Sequence, residues 1–141
     1  MPQLLIHAYE EHGLEQKKAL IRDVTATVVK AAGAAADDVG VFFLNLACSD
    51  RGLAGRLACE FPDPSGMTEE GRADVEKLPC LLVQLQMFEG RSLDQKRALA
   101  KGITDDVARH FKVDPGRVQL IISEMNRIDN ASGGVLAIDK K

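Results

Sequence analysis

Between residues 81 and 88 the side chains alternate: Leu81, Val83, Leu85 and Met87 against Leu82, Gln84, Gln86 and Phe88. A two-residue period is that of a strand with one face buried. Past Glu89 the period changes. Leu99, Ile103 and Val107 recur every four residues, and Leu93, Ala100 and Phe111 widen the stripe. Lys96, Arg97, Lys101, Asp105 and Arg109 fall on the other side, so this stretch predicts an amphipathic helix. Ser92 is placed to cap it, and Asp94 suits the positive end of its dipole. Asp114-Pro115-Gly116 stops the helix, and Val118-Gln119-Leu120-Ile121-Ile122 predicts a return strand.

The same pattern occurs earlier in the chain. Sliding the sequence by 79 positions sets Gln16-Lys17 on Gln95-Lys96, Ala19-Leu20 on Ala98-Leu99, Thr25 on Thr104 and Val28 on Val107. The register holds without a gap from Glu10 to Leu46, which marks an internal repeat. The first copy predicts a strand over 4–9, a helix over about 14–32 ending near Gly33, and a strand over 39–46. Two strands bridged by a helix of this length lie parallel, with a right-handed crossover. The expected architecture is therefore α/β: two tandem βαβ units, 2–46 and 79–125, sharing a four-stranded core sheet in a single domain. Residues 47–78, with several Gly and Pro and a charged run, predict a long surface connection carrying at most one short helix. In the tail, 126–141, Gly133-Gly134 precedes an edge strand over 135–138.

Composition narrows the partners. A net charge of −3 over 141 residues disfavours nucleic acid, and the absence of Trp with a single Tyr disfavours stacking on bases. No apolar run is long enough to span a membrane, and no targeting segment is evident, which predicts a cytoplasmic protein. Cys48, Cys59 and Cys80 are odd in number and lack CxxC spacing, so they read as small apolar residues in a reducing compartment. His7, His12 and His110 are too scattered to predict a metal site. His7 reads as packed within its strand and His12 as a solvated turn residue.

Pro2 is where chemistry enters. A small second residue allows Met1 to be removed, and the chain would then begin with a secondary amine on a rigid ring at the mouth of a strand. With Met1 retained, the same nitrogen is an inert amide. Proline directly after the initiator, the βαβ units, the Glu89-Gly90-Arg91-Ser92 turn into a Gln-Lys helix and the late Gly133-Gly134 together resemble the tautomerase superfamily. The second copy is similar to 4-oxalocrotonate tautomerase over that family's whole short unit. The tandem arrangement resembles the fused members, which include macrophage migration inhibitory factor.

The resemblance implies a trimer of two-unit chains in a barrel-like ring and a cofactor-independent keto-enol isomerase acting on small carboxylated enols or 2-oxo acids. It casts Pro2 as the acid/base and Arg91 as the carboxylate anchor. Phe88 and Ile121 would be apolar walls that exclude water, and Gln119 and Asn130 hydrogen-bonding groups. The second copy has Leu81 where the first has Pro2, so each chain would carry one site. The departures are specific. The family's second arginine falls on Gly40 and Gln119, its late aromatic on Asn130, and the paired arginine of the cis-dehalogenases on Phe88; their helix histidine and late glutamate fall on Val29 and Ser132. Arg127, Arg51 or Arg56 is then the candidate replacement cation. Two alternatives stand beside the isomerase: a hydratase, dehalogenase or decarboxylase of three-carbon acids on the same scaffold, or a non-catalytic trimeric binding protein if Met1 stays.

Overall fold

A computed structural model describes residues 2–8, 12–50, 52–53, 55–60 and 81–140. In chain order the main elements are β1 (Gln3–Ala8), α1 (Leu14–Ala32), β2 (Gly40–Asn45), β3 (Gly52–Leu53), β4 (Arg56–Leu57), β5 (Leu81–Phe88), α2 (Leu93–Phe111), β6 (Val118–Met125), β7 (Ala131–Ser132) and β8 (Val135–Leu136). Strands β2-β1-β5-β6 form one sheet. The pairs β1–β2 and β5–β6 are parallel, as two βαβ units require, and β1 joins β5 antiparallel at the centre.

Alternation along the central strands decides the layering. Leu4, Ile6 and Ala8 of β1 and Leu81, Val83, Leu85 and Met87 of β5 are buried on the face covered by both helices. The helices present Leu20, Val24, Val28 and Ala32 from α1 and Leu99, Ile103, Val107 and Phe111 from α2. These two sets coincide position for position under the 79-residue shift. On the other face Gln3, Leu5 and His7 are half-buried, and Phe42, Leu44 and Ile121 keep 52%, 41% and 40% of their surface exposed. That face has no helix over it among the described residues, so its apolar side chains lack an intramolecular partner layer.

Local chemistry explains the helix ends. Gln16 Oε1 accepts from the Gly13 amide at 3.0 Å, and Gln95 Oε1 accepts from the Ser92 amide at 2.9 Å. Ser92 Oγ returns the favour to Gln95 N, completing a capping box on α2 alone. Both helices close in the left-handed region, at Gly33 (φ 70°) and Lys112 (φ 54°).

The repeat reaches further than the sequence pattern indicates. Residues 48–60, expected as irregular connection, hold a turn over Cys48–Asp50, the β3–β4 hairpin and a turn over Ala58–Glu60. Each falls 79 positions before its counterpart in the tail: Arg127–Asp129, the β7–β8 hairpin and Ala137–Asp139. Gly55 and Gly134 match even in backbone angle, with φ of 77° and 78°. Short hairpins of this kind carry too little hydrophobic pattern to be read from sequence. The tail strand is correspondingly a hairpin with its partner at 131–132, shorter than the expected 135–138, and β6 continues to Met125 beyond the expected Ile122. The charged run of the connection and Tyr9 lie outside the described residues.

Candidate active site

The antiparallel register between β1 and β5 sets Gln3 beside Gln86, so the start of β1 meets the end of β5. Pro2 precedes Gln3, is buried, and accepts a hydrogen bond on its carbonyl from the Gly40 amide at 3.0 Å. That bond ties the Pro2 backbone to the first residue of β2.

A cleft of about 430 Å³ opens at this end of the sheet, walled by Gln3, Asp38, Phe88, Arg127, Asn130, Ser132 and Lys140, with Ala131 and Ala137. Three residues singled out from the sequence, Phe88, Arg127 and Asn130, are gathered there from two distant parts of the chain. Arg127 is set by two contacts. Its Nη2 donates to the Ala137 carbonyl at 2.6 Å, and its guanidinium carbon stands 5.5 Å from the centre of the Phe88 ring. A guanidinium has five N–H donors in a rigid fork, so one bond to a carbonyl leaves donors to hold a carboxylate. Arg127 thus brings a cation to the wall of the cleft.

Arg91 lies three residues beyond Phe88 and is half-buried, its Nη1 donating to the Phe88 carbonyl at 3.1 Å. It borders the same corner without being a wall of the cleft. Gln119 and Ile121 are elsewhere within the chain. Gln119 pairs with Leu82, which pairs with His7, about 16 Å along β1 from Pro2 at strand rise. Ile121 is level with Gln84 and Leu5, mid-sheet on the uncovered face. Arg56 donates to the Glu60 carbonyl at 3.0 Å inside the first hairpin region, and Arg51 lies outside the described residues.

Other expectations change. His12 is half-buried and stacked on Phe111, with ring centroids 3.7 Å apart and an interplanar angle of 1°, where a solvated residue was expected. His7 is packed in its strand, 2.9 Å from Gln84 Oε1. Cys59 is exposed and not a core residue, while Cys80 and the Cys48 side chain lie outside the described set. Asp38 and Lys140 in the cleft went unread in the sequence. Asp38 stands in a short polar turn next to Asp37, a pattern that signals only solvation. The repeat offers no hint either, because it aligns Asp38 with Arg117. Among the described residues no cluster of His, Cys, Asp and Glu is arranged to hold a metal, and no helix is long and apolar enough to cross a membrane.

Comparison with known proteins bears on this geometry. The family described as tautomerase enzyme matches the chain twice, over residues 2–56 and 82–136, and the first match reaches into the β3–β4 hairpin. A probable tautomerase of Listeria innocua is 40% identical over 57 residues, 40% of this chain and 93% of that protein. Another, from Streptococcus pneumoniae, is 44% identical over 43 residues, 30% of this chain and 72% of its own length. Among solved structures, native fused 4-OT superposes with a TM-score of 0.77 at 23% identity, covering 96% of both chains. A member of the cis-3-chloroacrylic acid dehalogenase family superposes with a TM-score of 0.71 at 21% identity, covering 95% of this chain and 82% of the other. With two matches to one family in tandem, together spanning most of the chain, the chain belongs to the tautomerase family of enzymes.

Proposed function

We propose that the protein is a cofactor-independent tautomerase that ketonises small carboxylated enols, with Pro2 as the proton carrier. The reading requires loss of Met1, which frees the imino nitrogen. That nitrogen takes the proton of an enol hydroxyl, and the conjugate acid delivers a proton to the adjacent carbon, so no net proton is consumed. Pro2 is buried, and in the transfer a single group serves as both base and acid. Arg127, and Arg91 from the same corner, hold the substrate carboxylate and fix the reacting carbons against Pro2. Phe88 and Asn130 supply an apolar wall and a hydrogen-bonding group. Gln119 and Ile121 enter such a site only from another copy of the chain.

The observation that carries the reading is the convergence of Phe88, Arg127 and Asn130 on one cleft beside the residue that follows Pro2. A homotrimer accords with it. The uncovered sheet face needs a partner, and one fused 4-OT structure is described as an asymmetric trimer. The test is ketonisation of phenylenolpyruvate and 2-hydroxymuconate by protein lacking Met1, beside Pro2→Ala. The variant is expected to lose about 10²–10⁴-fold in kcat, the range of a positioned acid/base. Equal rates would reject the role of Pro2.

A second reading, hydration of three-carbon acids, gains one specific observation: Asp38 brings to the cleft a carboxylate that could orient water. Product analysis with 3-haloacrylates separates the two.

A further inference from the structure

We infer that Asp38 selects the substrate class of this cleft: it admits monocarboxylates whose far end is neutral or donates a hydrogen bond, and rejects dicarboxylates. The inference rests on the reading of Pro2 as the acid/base and deepens it.

The sheet order supplies the argument. At the end of the sheet where Pro2 stands, β2, β1, β5 and β6 follow one another across it. Asp38 stands two residues before β2, whose first residue Gly40 is level with Gln3. Arg127 stands two residues after β6, whose last residue Met125 is level with Phe88. The carboxylate and the guanidinium therefore flank the cleft about 14 Å apart in backbone terms, three strand spacings, with the start of β1 between them. The cleft is polarised: Arg127 on one flank, Asp38 on the other, and Gln3, the residue that follows Pro2, between them.

A substrate whose carboxylate is held by Arg127, and whose enol lies against Pro2, extends its remaining end toward Asp38. An aromatic ring or a hydroxyl is tolerated there, and a hydroxyl is welcomed by an acceptor. A second carboxylate is brought against a like charge, the repulsive element by which a site excludes a competitor. Among the described residues the Asp38 carboxylate has no hydrogen-bond or ion-pair partner. Lys140 is the rival, because it also lines the cleft. It makes no ion pair with Asp38 and sits on a flexible stem near the chain end.

The experiment compares kcat/KM for phenylenolpyruvate and for the dicarboxylate 2-hydroxymuconate in wild type, Asp38→Asn and Asp38→Ser. Wild type is expected to favour the monocarboxylate. Either variant is expected to raise the dicarboxylate-to-monocarboxylate ratio about tenfold or more, through KM. Raising ionic strength should narrow the gap in wild type itself, because salt screens the repulsion; this arm needs no variant. A ratio unmoved by substitution and by salt overturns the inference. So does a wild-type preference for the dicarboxylate that Lys140→Met abolishes. Failure of Met1-free wild type to turn over either compound overturns the reading of Pro2, and the inference with it.

Discussion

Asp23 joins the two helices through charge. His110 Nε2 lies 2.6 Å from its Oδ2, and Arg109 donates to the same oxygen at 2.9 Å while also reaching Asp106. Asp106 is buried and accepts from Thr27 Oγ1, its counterpart in the repeat, at 2.5 Å. The bond with His110, and then that with Arg109, holds the Asp23 carboxyl below its ordinary range. A depressed folded value contributes stability above the unfolded value near 3.9 and loses it as pH falls through the folded value. Wild type is therefore expected to lose stability faster than Asp23→Asn between about pH 5 and pH 2, read as urea midpoints. Parallel curves would contradict it. At this scale the sequence was least legible. Pro2, Phe88, Arg127 and Asn130 could be singled out. Asp38 could not, because an exposed carboxylate acquires meaning only from what stands across the cleft. Nor could the partners of Asp23, since contacts 87 residues apart leave no local pattern.

The elements themselves were readable because their apolar periods differ so plainly: two in β5, about four in α2. The exceptions were the short hairpins. Two-residue strands around Gly55 and Gly134 offer no period, and only their coincidence under the 79-residue shift exposes them as one feature repeated. The helix C-termini show where the copies diverge. α1 ends on Gly33 and α2 on Lys112, both left-handed. A side chain with a Cβ pays for that conformation where glycine does not. Lys112→Gly is expected to stabilise the fold by about 1 kcal/mol, less any gain in the entropy of the unfolded chain. Chemical denaturation checks it, and a destabilised variant would show that the Lys112 side chain contributes more than its backbone costs.

In the whole molecule, two near-equivalent units build a pseudo-symmetric core, while the proposed chemistry uses one end only. The residue matching Pro2 in the second unit is Leu81, buried and without an amine. The uncovered sheet face carries Leu5, Phe42, Leu44 and Ile121, and among the described residues no element covers it. The central claim, that an unblocked proline nitrogen is the reacting group, is tested most directly by the intact mass of protein purified from its own cells. The account predicts a chain lighter than the translated sequence by one methionine residue. A full translated mass, with the nitrogen still in a peptide bond, would contradict it.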